Sequence, residues 1–205
     1  MTRQEHWNRI YKIRGAHDVS WHQRRPDLSL ELIAESGVSK DAGIIDVGGG
    51  ASTLVDSLLD AGYQRLAVLD ISGTALALSR TRLGPRADAV EWFEADVTSF
   101  QPSHRYGLWH DRAVFHFLTS TDDRRAYVAA LKRALEPLGA VIISTFALDG
   151  PSKCSGLDVV RYDEGSICAQ LGSEFVLLDV RRETHVTPRR SRQRFVYFRF
   201  RQGGS

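Results

Sequence analysis

Three consecutive glycines stand between an apolar run and a segment of helical periodicity. The apolar run covers residues 44–47, the glycines are Gly48 to Gly50, and the helical segment starts near Leu54. Each glycine costs backbone entropy and adds nothing to a packed core, so the run indicates a functional constraint. Without Cβ atoms the chain can turn sharply beside a ligand, and the next helix offers free N–H groups and a positive dipole end. This loop predicts a site for a nucleotide-containing cofactor.

Two carboxylates occupy comparable positions after the next two apolar runs. Asp70 ends the run that begins at Leu66, and its carboxylate can accept hydrogen bonds from both hydroxyls of a ribose. Asp96 follows the run 90–95. Each aspartate alone could simply cap the loop after its strand. Together with the glycine loop, we expect both to converge on one adenosine.

A third polar group follows the short run 106–109 and consists of His110, Asp111 and His116. Ligands bind beyond the carboxyl ends of the strands in open α/β sheets, so this position favours function. A histidine or an aspartate can take a proton from an amine or hydroxyl nucleophile, whereas a thiolate or carboxylate nucleophile needs no base. His116 lies among apolar residues and could equally be an interior histidine. We predict these three residues as the candidate catalytic groups.

The order of elements explains how these groups could meet. Short β-branched runs alternate with helical segments, which is the pattern of βαβ units and a parallel sheet. The predicted strands are residues 44–47, 66–69, 90–95, 106–109 and 140–146. The strongest helix prediction covers residues 122–135, with capping residues before it and Pro137 as its stop. Two β-rich runs at 175–183 and 194–200 predict an antiparallel pair.

The segment before the first strand is predicted to be helical at residues 5–13 and 28–36. Trp21 lies in the connection, where it could cover the cofactor or pack in the core. Neither an internal repeat nor a second domain is visible. We therefore expect a single domain, with residues 1–40 as a helical cap and residues 41–205 as the α/β core.

The identity of the cofactor stays open on the glycine loop alone. Gly48 and Gly50 fit the first two glycines of the dinucleotide fingerprint, but the third would fall on Thr53. A Walker phosphate loop is excluded because no Gly-Lys-Ser/Thr follows. A nicotinamide-dependent oxidoreductase and a non-catalytic nucleotide-binding module remain alternatives. The antiparallel ending is unlike the usual dinucleotide dehydrogenase, in which further βα units would follow.

Three motifs in order resemble the class I S-adenosylmethionine-dependent methyltransferase family. They are the segments 45–50, 69–72 and 94–97. The resemblance extends from about Ile44 to Phe200 and implies an α/β, single-domain, Rossmann-like, doubly wound sheet of seven strands. The implied strand order is 3-2-1-4-5-7-6, with strand 7 antiparallel. Ser52 replaces the last glycine of the family's commonest loop.

The resemblance also implies roles for individual residues, with S-adenosyl-L-methionine as cofactor and S-adenosyl-L-homocysteine as product. Gly48 and Gly50 would pass the methionine part, Asp70 would hold the ribose, and Ile71 and Asp96 would meet the adenine. The backbone near His110 would face the sulfonium. The complete set of expected cofactor-binding residues is Asp46, Gly48, Gly49, Gly50, Ser52, Asp70, Ile71, Asp96, Val97, His110 and Trp21.

The methyl acceptor has two candidate classes, a small metabolite and a protein lysine. The segments 7–11 and 19–23 are similar to the lead-in of a methyltransferase branch that contains protein lysine enzymes, but small-molecule enzymes share this layout. A closed pocket would favour the metabolite, which is our leading expectation, and an acidic open groove would favour the lysine. The loop 147–157 is expected to shape the acceptor site. Cys154 in it is expected to be a passive thiol.

Composition limits the remaining possibilities. The 205 residues carry a formal net charge of +2 and two cysteines. Near-neutral charge gives no reason to expect a nucleic acid or an anionic membrane as partner. Two cysteines predict no disulfide framework, and no Cys or His spacing indicates a zinc site. We expect a cytoplasmic monomer or homodimer without a resident metal.

Overall fold

A seven-stranded mixed sheet forms the centre of the molecule in a computed structural model, which describes residues 1–203. The end of the predicted α/β core, residues 41–205, therefore lies outside the described residues. The strands are β1 (Gly43–Val47), β2 (Arg65–Asp70), β3 (Val90–Glu94), β4 (Tyr106–Arg112), β5 (Leu135–Phe146), β6 (Lys153–Cys154), β7 (Leu157–Asp158), β8 (Phe175–Val186) and β9 (Arg192–Gln202). The helices are α1 (Arg3–Arg14), α2 (Asp27–Glu35), α3 (Leu54–Asp60), α4 (Gly73–Leu83), α5 (Thr121–Ala134) and α6 (Glu164–Leu171).

The strand order in the main sheet is β3-β2-β1-β4-β5-β9-β8. Strands β1 to β5 pair in parallel, whereas β9 is antiparallel to β5 and to β8. Counting only this sheet, β8 and β9 are the sixth and seventh strands. The predicted order and the antiparallel seventh strand are therefore confirmed.

Helices cover both faces of the sheet, as the continuous apolar strands require. All five residues of β1 are buried. On one face Leu32 of α2 and Leu54 of α3 join the same apolar cluster as Ile44. On the other face Tyr127 of α5 and Ile167 of α6 pack with Ile45. The two layers fix the sheet edge that carries the polar groups.

Strand β4 is longer than its apolar run. It was predicted to end at Trp109, but its pairing with β5 continues through Arg112. Residues alternate between the two faces of a strand, so His110 and Asp111 lie on opposite sides of the sheet. The expectation that these two residues stand together beyond the strand was wrong.

The helix α5 confirms the strongest helix prediction. The Ser120 hydroxyl accepts a hydrogen bond from the Asp123 N–H at 3.0 Å and caps the first turn. The helix ends at Ala134, and β5 begins directly at Leu135. Pro137 therefore lies within an irregular start of β5 rather than in a separate turn.

The loop after β5 contains an element that the sequence did not predict. Strands β6 and β7 form a two-stranded antiparallel hairpin between β5 and α6. Cys154 of this hairpin is buried among residues of the main core. Within the described residues, no helix has the length and apolar character needed to cross a membrane.

Candidate functional site

The loop after β1 turns sharply at Gly48, which has a φ of 70°. The Gly48 N–H donates to the carbonyl of Leu69 at 2.7 Å, so the loop is tied to β2. A Cβ on Gly50 would overlap the Asp70 carboxylate and the Ala75 side chain. The glycines therefore allow a close approach between the loop, β2 and the start of α4.

Asp70 is the central carboxylate of this edge. It is buried at the end of β2 and accepts hydrogen bonds from the N–H groups of Gly50, at 3.0 Å, and Ser72, at 2.8 Å. Burial raises the pKa of Asp70 to about 6, against the opposing effect of these two N–H groups. The carboxylate keeps lone pairs for further donors, such as ribose hydroxyls.

A cavity of about 900 Å³ lies along the carboxyl ends of β1 to β4. Seven of the predicted site residues line it, namely Trp21, Gly48, Asp70, Ile71, Asp96, Val97 and His116. A smaller cavity of about 520 Å³ adjoins the glycine loop and shares Gly48 and Trp21 with the first. The predicted residues that line it in addition are Asp46, Gly49, Ser52 and His110. Gly50 and Asp111 line neither cavity.

Asp96 has both a capping role and a place in the cavity wall. Its Oδ1 accepts from the N–H of Thr98 at 2.9 Å and begins a short helical turn. Its Oδ2 forms an ion pair with Arg3 of α1 at 3.3 Å. The structure thus shows the capping role of this aspartate, whereas its contact with an adenosine stays a prediction.

Asp46 and His110 belong to a buried polar chain. His110 Nδ1 lies 2.7 Å from Asp46 Oδ1, and His110 Nε2 lies 2.9 Å from the hydroxyl of Ser29 on α2. The other carboxylate oxygen of Asp46 is buried without a hydrogen-bond partner among residues 1–203. This chain joins β1, β4 and α2 and leaves one acceptor free beside the glycine loop.

Asp111 has a structural role on the opposite face of the sheet from His110. Its carboxylate accepts from the N–H groups of Val114, at 2.8 Å, and Phe115, at 3.1 Å, and from the Tyr127 hydroxyl, at 2.6 Å. Burial raises its pKa to about 6. These contacts hold the turn after β4, and they do not present Asp111 to a ligand in either cavity.

His116 lies against the larger cavity with its side chain fully buried. Its Nδ1 accepts a hydrogen bond from the Phe146 N–H at 3.3 Å. The proton of the neutral ring is therefore on Nε2, which has no partner among the described residues. Burial and the nearby charge of Arg112 lower the pKa of His116 to about 3. The geometry makes His116 a hydrogen-bond donor rather than the predicted proton acceptor.

The helix α1 forms part of the cavity wall. Arg3, Trp7 and Tyr11 line the cavity from this helix. The Ser72 hydroxyl donates to Asn8 Oδ1 at 2.7 Å, which fastens α1 to the start of α4. Thr2 and Glu5 form a capping box at the start of this helix, but the sequence did not indicate where the helix docks.

Arg112 is the main functional candidate that sequence reasoning missed. It lines both cavities from the last position of β4. Its Nε donates to the Tyr197 hydroxyl and its Nη1 donates to the Trp21 carbonyl, each at 2.9 Å. Cys154, in contrast, behaves as the sequence suggested, because burial raises the pKa of its thiol to about 11.

A family model described as "Methyltransferase domain" matches residues 44–139, from β1 to the start of β5. Residues 44–139 are therefore similar to a methyltransferase domain, in agreement with the predicted resemblance. The match covers the glycine loop, Asp70 and Asp96.

Curated relatives of the chain are distant. The chain is 22% identical over 139 residues to the mouse eEF1A lysine and N-terminal methyltransferase, and a bovine protein of the same name matches to the same extent. The match covers 67% of this chain but only 20% of each relative. The chain thus spans about a fifth of the length of these relatives.

Solved structures share the fold of the chain. One from work on the conversion of a disulfide bond into a thioacetal group during echinomycin biosynthesis has a TM-score of 0.80 at 16% identity, covering 98% of this chain and 92% of its own. The N-methyltransferase NodS from Bradyrhizobium japonicum with S-adenosyl-l-homocysteine has a TM-score of 0.72 at 16% identity, with 95% and 97% covered. At these identities the likeness establishes the fold.

Proposed function

We propose that the chain is a methyltransferase that binds S-adenosylmethionine along the carboxyl edge of the sheet and transfers a methyl group to a small-molecule acceptor. The observation that carries this proposal is that Gly48, Asp70 and Asp96 line one cavity. Their separate positions in the chain converge because β1, β2 and β3 are adjacent and parallel. The cavity also lies where the strand order reverses between β1 and β4, the usual ligand position in such sheets.

The residues of the site fit this cofactor in polarity. The cavity wall combines apolar and aromatic side chains with a few polar groups, as small-molecule sites do. Asp70 would accept the ribose hydroxyls, and the free oxygen of Asp46 would accept a donor from the methionine end. When bound, S-adenosylmethionine supplies an electrophilic methyl group on its sulfonium. The protein's part is to hold the nucleophile in line with that group.

Enclosure of the site supports a small acceptor. The α1 helix contributes Trp7 and Tyr11 to one wall, and the β6–β7 hairpin contributes Cys154 to another. Arg112, which is ion-paired with Glu183 at 3.6 Å, places a guanidinium in the part of the wall that lies away from Asp70 and Asp96, so no free carboxylate is provided there for a lysine ammonium. A protein lysine is the second candidate, favoured by the likeness to the eEF1A lysine and N-terminal methyltransferase.

Residues 1–40 are proposed to act as a cap of the same domain rather than as a separate unit. Two contacts support this assignment. Asn8 binds the start of α4, and Ser29 of α2 completes the polar chain of His110 and Asp46. The cap thus touches both cavities and cannot be removed without exposing polar groups of the site.

Binding of the cofactor is tested by calorimetry with S-adenosylhomocysteine and, separately, with NAD. We expect the first to bind and the second not to bind. Asp70→Asn should weaken S-adenosylhomocysteine binding at least about tenfold, because a charged acceptor is lost. Asp60→Asn, which alters an exposed ion pair with Arg86, is the matched control and should bind normally. Binding of NAD alone would contradict the assignment.

The acceptor class is tested with methyl-labelled S-adenosylmethionine in a cell extract. After reaction, label is counted separately in the protein and the metabolite fractions. We expect the label in the metabolites. Label confined to protein would instead support the lysine candidate.

A further inference from the structure

The larger cavity is bordered by a continuous series of aromatic rings, which we call the aromatic collar. Its members are Trp21, Trp7, Phe117, His116, Phe146 and Phe195. Successive ring centroids are 4.5 to 5.7 Å apart along this order. All six side chains also line the cavity. Aromatic faces of this kind favour a flat, apolar ligand body.

Arg112 contacts both ends of the aromatic collar. Its guanidinium carbon lies 4.5 Å from the ring centroid of Phe195, and its Nη1 binds the carbonyl of Trp21 at the other end. The side chain is only 11% exposed. A buried cation therefore lies beside an apolar ring-lined space.

Two hydrogen-bond donors in the aromatic collar and Arg112 have no hydrogen-bond partner within residues 1–203. Arg112 Nη2 has no hydrogen-bond partner among the described residues, although it forms an ion pair with Glu183 Oε2 at 3.6 Å. That oxygen already accepts from the Tyr197 hydroxyl at 3.0 Å. His116 Nε2–H is the second free donor, as shown by the hydrogen bond at its Nδ1. Buried donors without partners are unfavourable, so a ligand that accepts from both would be bound strongly.

Proton acceptors, in contrast, are scarce in the same wall. Of the ionisable side chains that line the cavity in residues 1–203, Asp70 and Asp96 are assigned to the cofactor. Cys154 and Tyr11 keep their protons, because burial raises the pKa of each. His116 has no free lone pair to accept a proton, because its Nδ1 already accepts from the Phe146 N–H. An acceptor that must lose a proton within the site would find no base there.

We propose, on the basis of the proposed function, that the methyl acceptor is a small aromatic or heteroaromatic anion, bound in the aromatic collar with its charged oxygen or sulfur held by Arg112 and His116. In the transfer, a lone pair of this charged atom forms the new bond to the methyl carbon. The carbon–sulfur bond of the sulfonium breaks, and its electron pair stays on sulfur. The anion becomes a neutral ether, ester or thioether, and no proton is released.

The test measures ligand binding to the protein saturated with S-adenosylhomocysteine, by calorimetry at mildly alkaline pH. The probes share one ring and differ in charge: 4-nitrophenolate, neutral 4-nitrotoluene and cationic 4-nitrobenzylammonium. We expect the anion to bind at least about tenfold more tightly than the neutral probe, because two donors gain a charged acceptor. Equal binding of the three probes, or preference for the cation, would overturn the proposal.

Variants of His116 test whether the preference for the anionic probe arises at the aromatic collar. His116→Phe keeps an aromatic ring but removes the donor, so the preference for the anion should fall while S-adenosylhomocysteine affinity is retained. His116→Gln, which can restore an N–H donor, should recover part of it. Arg189→Gln, on the exposed connection between β8 and β9, is the control for a lost positive charge. An unchanged preference in His116→Phe would contradict the inference.

These measurements separate the two proposals. Loss of S-adenosylhomocysteine binding in the wild-type protein would refute the proposed function itself. Normal S-adenosylhomocysteine binding without preference for the anionic probe would refute only the assignment of the acceptor.

Discussion

Asp70 links cofactor binding to pH at the scale of one residue. Its pKa of about 6 is raised chiefly by burial and further by the charges of Asp46 and Glu94. In the proposed site the ribose hydroxyls bind the ionised carboxylate, so protonation would remove the charged acceptor. We expect S-adenosylhomocysteine affinity to fall by up to about tenfold per pH unit below about pH 6. Calorimetry across pH measures this effect.

The control for this prediction is Asp70→Asn, which cannot titrate. It should bind weakly at every pH and lack the fall in affinity below about pH 6. A wild-type profile as flat as that of the variant would show that another group holds the ribose.

Gly50 provides a test of the close approach between the loop and β2. A methyl group at this position would overlap the Asp70 carboxylate and Ala75. Gly50→Ala should therefore displace Asp70 and weaken S-adenosylhomocysteine binding by at least about tenfold. Gly165→Ala is the matched control, because the nearest atom to its new Cβ, on Asp163, lies 3.9 Å away. Equal affinities of the two variants would refute the proposed role of the close approach.

Tyr127 tests the structural role assigned to Asp111. Its hydroxyl donates to Asp111 and accepts from the indole N–H of Trp109 at 2.8 Å. Tyr127→Phe leaves a buried indole donor unpaired and should lower the free energy of unfolding by about 1–3 kcal/mol. Urea denaturation measures the change. In Tyr162→Phe, whose buried hydroxyl has no hydrogen-bond partner within residues 1–203, the loss should be smaller.

At the scale of elements, α1 is a wall of the site that is held by few contacts. Asn8 accepts from the Ser72 hydroxyl and from the Thr74 N–H at 3.2 Å. Asn8→Ala should loosen α1, so that S-adenosylhomocysteine dissociates faster in stopped-flow measurements. Arg9→Ala changes an exposed position of the same helix and should leave the rate unchanged. Identical rates for the two variants would argue against a capping role for α1.

The helices and strands that could be predicted from the sequence are those whose apolar residues recur at a regular spacing. Strand β1 and helix α5 could be predicted because each has an apolar pattern that matches its own geometry. The end of β4 could not, because His110 and Asp111 interrupt its apolar run. Partners from distant parts of the chain, Ser29 and Tyr127, satisfy these buried polar groups. Such pairing is a property of the folded chain.

The candidate site likewise contains residues that could be predicted from the sequence and residues that could not. The glycine loop and Asp70 were predictable because backbone conformation and strand ends place them locally. Arg112 and the aromatic collar were not, because α1, the loop before α2, β4, the turn after it, β5 and β9 all contribute. The tautomer of His116 depends on the backbone of Phe146, which lies 30 positions further along the chain.

At the scale of the whole molecule, the cofactor site spans several elements, so ligand binding should stabilise the entire fold. A ligand at a hundred times its Kd adds about 2.7 kcal/mol to the free energy of unfolding. For a domain of this size each kcal/mol raises Tm by about 2–4 °C. We therefore expect S-adenosylhomocysteine to raise Tm by about 5–11 °C in a thermal-shift experiment.

Two comparisons accompany the thermal-shift measurement. NAD at the same concentration should leave Tm unchanged, and Asp70→Asn should respond much less to S-adenosylhomocysteine. A shift with NAD equal to that with S-adenosylhomocysteine would argue for a general nucleotide site.

The outer strand β8 has a consequence for the behaviour of the protein in concentrated solution. No other strand of residues 1–203 pairs with its outer edge, so its backbone groups could template the addition of a second polypeptide. A bulge between Leu177 and Asp179 interrupts the regular edge, and Arg181 is drawn into an ion pair with Glu35. Irregularity and charge at this border therefore protect the protein from edge-to-edge aggregation.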